Sequence, residues 1–271
     1  MTDRTEPQRG KPSVSVASQI ERLEALVERE RQTRFSGGAF GYLWAYSTPV
    51  AWIAFVVIFF WILGRTPPIA VGAEIFVATG ILPYALYRQT ITSMMRTLIA
   101  SRYMAYYTPV NGQDILLASA VLELVNMILT SLLIFGGIIL LFGTPLPANL
   151  LVVYAAMAMA WALGVGMGSL FAAIGQASDS FARAVPLVLR PLFWISGIFF
   201  TATELPAQAQ ALFWWNPLFH CIEALREGFF IGYQSPVAEL WYPAVIAVSC
   251  YLASAVVERH IRHRRLARHH L

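Results

Sequence analysis

Apolar residues run along this chain in long blocks, separated by short polar turns. The block YLWAYSTPVAWIAFVVIFFWIL (42–63) contains no charged residue, and Pro49 inside it predicts a kink. Similar blocks follow at 115–142, 150–175, 184–203 and 240–257. A helix needs roughly 20 apolar residues to cross the hydrocarbon core of a bilayer, so each block predicts a span. Another span starts near Glu74 with IFVATGILPYALY and continues as the more polar RQTITSMMRTLIASR to Arg102. Its apolar part is short, which predicts a long helix emerging from the bilayer on the basic side. GRTPP (64–68) and TPLPAN (144–149) are turns, and YMAYYTPVNGQD (103–114) is a loop or short crosswise helix.

The periodicity changes at both ends of this array. Residues 1–17 are polar and predict a disordered cytoplasmic tail. In SQIERLEALVERERQTR (18–34), Ser18 and Glu21 form a capping-box pattern. Ile20, Leu23, Leu26 and Val27 then recur on one helical face among charges, which predicts an amphipathic interface helix over 18–35. No apolar signal-peptide core lies in the first 40 residues. Between spans 5 and 6 stands FWWNPLFHCIEALREGFFIGY (213–233), long enough to cross yet broken by Asn216-Pro217 and carrying His220, Glu223, Arg226 and Glu227. Proline removes a backbone donor and disfavours helix at the residue before it. Two half-helices, roughly 205–215 and 217–230, are expected, entering and leaving the outer leaflet as a re-entrant segment over about 204–231. A single buried, kinked helix is the other reading. On the second half, Leu218, Ile222, Leu225 and Phe229 form an apolar stripe, and His220, Glu223 and Glu227 a polar one.

The fold class is therefore an all-α integral membrane protein. It has six transmembrane helices (36–258), the interface helix before them and a basic cytoplasmic tail (259–271) behind. Composition agrees: 13% of residues are charged, against about 25% in soluble domains. Seven of the 19 basic residues precede residue 35, and Arg259, Arg262, Arg264, Arg265 and Arg268 crowd the tail. Basic residues concentrate on the cytoplasmic side, which places both termini there.

No nucleotide-binding loop is present: the only lysine, Lys11, sits in GKP, whereas a P-loop needs Gly-Lys-Ser/Thr. Any ATP-driven activity would need an ATPase on another chain, and the chain itself reads as neither an enzyme nor a cofactor or metal binder. Cys221 and Cys250 lack metal or redox spacing, and His220, Glu223 and Glu227 lack the zinc-peptidase HExxH arrangement. His260, His263, His269 and His270 share the arginine-rich tail, which suits anionic lipid head groups. Gly164, Gly168 and Ala172 recur every four residues and predict close helix packing.

Charged groups inside spans cost several kcal/mol, on the order of 3, and point to function. Arg88, Glu123 and Arg190 are the candidates; Arg88 is expected to share a helical face with Tyr84 and Tyr87, and Arg190 with Arg183. Such arginines would attract an acidic polymer or a phospholipid anchor, unless they only pair with Glu123. Tyr42, Trp44, Tyr46, Trp52, Tyr84, Tyr87, Trp194 and Phe199 are candidate channel aromatics, because ring faces stack on the apolar side of sugars.

RFSGGAFGYLWAYSTPVAW (34–52), WNPLFHCIEALR (215–226) and the order of elements together resemble one family, the permease subunits of KpsM-like, capsule-polysaccharide-exporting ABC transporters. The likeness covers about residues 18–258. It implies a homodimer in the bacterial inner membrane with two copies of a cytoplasmic ATPase, which would bind ATP and Mg. It implies export of a lipid-linked acidic polysaccharide through a channel between the permeases, toward a periplasmic adaptor. The bend 97–112 then becomes the coupling loop, offering Arg102, Tyr103, Tyr106, Tyr107 and Asn111 to the ATPase. Trp215, Asn216, Pro217, Glu223 and Arg226 become the re-entrant residues. Other lipid-linked glycans (O-antigen, teichoic acid) and small lipids or drugs remain open as cargo for the same permease type. A membrane-embedded enzyme would need clustered acid, base or metal ligands, and no such cluster is evident.

Overall fold

A computed structural model describes residues 24–29, 31–32, 39–100 and 112–268, with side chains outside 39–46 and 262–268. The tail expected at 1–17, the candidate coupling residues Arg102, Tyr103, Tyr106, Tyr107 and Asn111, and the side chains of Tyr42, Trp44 and Tyr46 lie outside the described residues. Of the expected interface helix at 18–35, residues 24–29 and 31–32 are helical, with Leu26 and Val27 half-buried and Glu24, Glu28 and Arg29 exposed. Hydrogen bonds from Arg31 and Gln32 hold the Glu28 carboxyl down at about 2.

Eight longer α-helices follow: α1 (Ala39–Ile62), α2 (Ala73–Ala100), α3 (Gly112–Phe142), α4 (Leu150–Ala177), α5 (Asp179–Ile195), α6 (Ala207–Trp214), α7 (Pro217–Phe229) and α8 (Trp241–Arg268). α3, α4 and the Trp241–Ile261 part of α8 are long and apolar enough to span a membrane. The part of α1 whose side chains are described, Ser47–Ile62, is apolar as well. α2 turns polar after Tyr87, and α5 carries Arg183, Arg190 and two prolines in 17 residues.

α4 is the hub, packing against α2, α5, α7 and α8. Its glycines explain how. A Cβ at Gly164 would lie 3.0 Å from the Tyr87 carbonyl oxygen, and one at Gly168 3.1 Å from the Ile91 Cα. That is the predicted four-residue seam, seated on α2. Gly166 faces the other way: a Cβ there would lie 2.8 Å from the Ala247 Cα of α8. One helix thus carries two glycine seams, of which the four-residue spacing reveals one.

One boundary departs from the expected span 5 at 184–203: α5 begins at Asp179 and ends at Ile195. The Ser178 side chain caps its start by accepting from the Phe181 amide at 3.3 Å. The chain turns at Gly197, whose φ of 84° suits only glycine and whose Cβ would meet the Phe219 ring at 2.6 Å. The apolar run Ile198–Phe200 reads like a helix continuation, but it is the lining of a turn.

Candidate functional site

Asn216-Pro217 breaks the helix where predicted. Pro217 occupies the first position of α7, where its missing N–H costs nothing. Asn216 Oδ1 accepts from the Leu218 amide at 3.1 Å, and its Nδ2 donates to the Ile195 carbonyl and to Ser196 Oγ, each at 3.1 Å. One side chain therefore caps α7 and closes the end of α5.

Behind this cap lies a polar cluster. Arg226 is fully buried; Nη1 donates to the Phe200 carbonyl at 2.7 Å and to Glu223 Oε1 at 3.0 Å, and Nη2 to the Ile198 carbonyl at 3.2 Å. Its guanidinium sits 4.3 Å from the Phe76 ring centroid of α2. Glu223 Oε2 accepts from Tyr233 Oη at 2.5 Å, Ser235 Oγ at 2.7 Å and the Ala202 amide at 3.2 Å. Both faces of α7 are covered: His220 and Glu223 of the polar stripe are as buried as Leu218 and Ile222. The cluster locks α7, the turn after α5, and α2 together. It is a staple.

The second constellation is open. A cavity of about 630 Å³ is walled by α1, α2, α3 and α5, with Met157 of α4 at its base. Trp52, Tyr84, Arg88, Arg190 and Trp194 all line it, together with Glu123. Arg88 and Arg190 are exposed, and Trp52 and Trp194 are 46% and 61% exposed. Phe193 holds the aromatic wall together: its ring centroid lies 5.1 Å from Tyr84, 5.4 Å from Trp52 and 5.6 Å from Trp194. Tyr84 Oη donates to the Leu189 carbonyl at 3.0 Å, which ties α2 to α5 within this wall. The cavity combines planar guanidinium forks, which match carboxylate or phosphate oxygens, with ring faces that suit a pyranose.

Comparison with known proteins classifies this arrangement. The family model for ABC-2 type transporters matches residues 21–230. The chain belongs to the ABC-2 type transporter family. Among its relatives is the polysialic acid transport protein KpsM of Escherichia coli, 29% identical over 228 residues, covering 83% of this chain and 88% of that protein. The capsule polysaccharide export inner-membrane protein BexB of Haemophilus influenzae is 27% identical over 220 residues, 80% of this chain and 82% of its own. CtrC of Neisseria meningitidis serogroup B (strain ATCC BAA-335 / MC58), also named a capsule polysaccharide export inner-membrane protein, is 26% identical over 240 residues, 84% of this chain and 86% of its own.

Not every candidate of this ABC-2 permease reaches the cavity. Tyr87 is buried on the α4 side of α2, its hydroxyl 3.1 Å from Met167 Sδ. Phe199 stacks on Trp194 at 5.0 Å and lies tilted against Phe60 at 6.4 Å, and it does not line the cavity. Trp215 is 54% exposed, beside the buried Asn216. Thr48, Gln89, Asn126 and Thr130 also line the cavity. Their signal in the sequence was a polar side chain set in or beside an apolar block, within about two helical turns of Trp52, Arg88 or Glu123.

Proposed function

We propose that this chain is the membrane permease of an ATP-driven exporter that moves a lipid-linked, acidic, capsule-type polysaccharide out of the cytoplasm across the inner membrane. The observation that carries this reading is the cavity in which Arg88 and Arg190 meet Trp52, Tyr84 and Trp194. Guanidinium groups at this depth take the carboxylates of an acidic sugar or the phosphate of its anchor, and the rings take the sugar faces. The relatives named for polysialic acid and capsule polysaccharide support the same cargo class.

Exposed arginines within a bilayer are costly unless they face water, protein or ligand. A second copy closing over this open wall satisfies that requirement, so the working unit is a homodimer with the cavity at its seam. Energy comes from two copies of a cytoplasmic ATPase, where ATP and Mg bind; the 97–112 bend and the interface helix are the surfaces that meet it. Six spans place both termini in the cytoplasm, α6 and α7 form the re-entrant pair on the outer side, and a periplasmic adaptor receives the polymer. The test uses the full-length chain reconstituted with its ATPase in liposomes. An acidic glycolipid is expected to stimulate ATP hydrolysis where a neutral glycolipid of equal length does not. Equal stimulation by both, or by neither, contradicts the assignment of cargo.

A further inference from the structure

The loop assigned to the ATPase ends where α3 begins, at Gly112 and Gln113. There Gln113 Nε2 donates to Glu258 Oε2 on α8 at 2.5 Å, across 145 residues of sequence. Tyr251, two turns earlier on α8, reaches Gln113 Oε1 with its hydroxyl at 3.5 Å. Gly112 makes the approach possible. A Cβ there would lie 2.9 Å from Glu258 Oε1 and 3.5 Å from Leu98 Cδ1 near the end of α2. The start of α3, the end of α2 and the cytoplasmic part of α8 therefore meet at one half-buried polar point.

This point is unusual in its setting. α3 packs along α2, and α8 packs along α4 and α7, but α3 and α8 share no extended seam. A polar contact between helices that otherwise scarcely touch adds little to packing; it fixes how the two helices move relative to each other. A hydrogen bond to a carboxylate is also stronger than a neutral one. We propose that Gln113 and Glu258 are positioning residues, forming the tie through which movement of the ATPase-facing loop reaches α8. From α8 it passes to α4, and through the glycine seam to α2, which carries Arg88. The inference rests on the export reading above.

The experiment compares Glu258→Ala, Gln113→Ala and the reciprocal swap Gln113→Glu with Glu258→Gln, each in the full-length chain assembled with its ATPase. Polymer exported per ATP hydrolysed is expected to fall about tenfold in either single variant while hydrolysis continues, and to return in the swap, as for loss of one charge-assisted hydrogen bond. Wild-type yield per ATP in the single variants overturns the proposal, and so does a swap no better than they are. If Glu258→Ala does not accumulate, Gln113→Ala carries the comparison. Amide exchange at the start of α3 separates this tie from the export reading. It is expected to quicken about tenfold in the single variants whether or not polymer moves, and unchanged exchange overturns the tie. A wild-type complex that moves no glycan sinks the export reading and leaves the exchange result to decide the tie.

Discussion

Arg226 and the pair Arg88 and Arg190 bring the same guanidinium group into opposite surroundings. Arg226 is fully buried and donates to Glu223 and to two turn carbonyls, with an aromatic face beneath it. Arg88 and Arg190 are exposed and line an open cavity. The first arginine uses both terminal nitrogens to join α7 to the turn after α5, and its flat face lies on Phe76 of α2. Under the proposed function, the other two keep theirs for the cargo. Charge within the membrane region therefore meets two kinds of surroundings here: fixed carbonyl and carboxylate partners mark a staple, and under the proposed function the open aromatic wall is the binding surface.

The sharpest way to break this contrast is to remove one side of the staple. Arg226→Ala leaves the Glu223 carboxylate buried without its cation, and such a change costs about 3–5 kcal/mol. The expected outcome is loss of folded, detergent-extracted protein by size-exclusion chromatography. A smaller effect is expected at Gly166→Ala, where the new methyl would press on the Ala247 backbone; overpacking of this kind costs about 1–3 kcal/mol. A thermal melt of the purified protein reads it. Asn216→Ala removes the cap of α7 and frees the Ile195 carbonyl, for a cost of about 1–2 kcal/mol in the same melt. The smallest stability change, within about 0.5 kcal/mol, is expected at Arg88→Ala and Arg190→Ala, because exposed groups outside a network contribute little to folding. A large drop in melting temperature in either variant would place these arginines with Arg226.

Much of the architecture was legible in the sequence, for identifiable reasons. Apolar blocks predicted the long helices, Asn216-Pro217 predicted the break before α7, and Gly164 with Gly168 predicted a close helix seam, whose partner, α2, only the structure shows. Arg88, Arg190, Trp52, Tyr84 and Trp194 converge on one cavity because each interrupts or ornaments an apolar block whose helix packs near the others. Three features escaped. The end of α5 depends on a left-handed glycine and on the Phe219 ring, a contact 22 residues away that no local period encodes. Tyr87 reads as a neighbour of Arg88, yet one position along a helix turns a side chain by about 100°, onto α4. The role of Arg226 depends on carbonyls of the irregular stretch after α5, so its pairing shows only once that turn is built.

The central claim is that Arg88 and Arg190 hold the acidic cargo. Its most direct test is export by the Arg88→Ala, Arg190→Ala double variant, measured as surface polymer in cells with membrane levels of the protein matched to wild type. Hydrogen bonds to charged groups contribute roughly 1.5–3 kcal/mol each, so polymer export is expected to fall about tenfold or more. Wild-type export by that variant, at matched levels, would contradict the account.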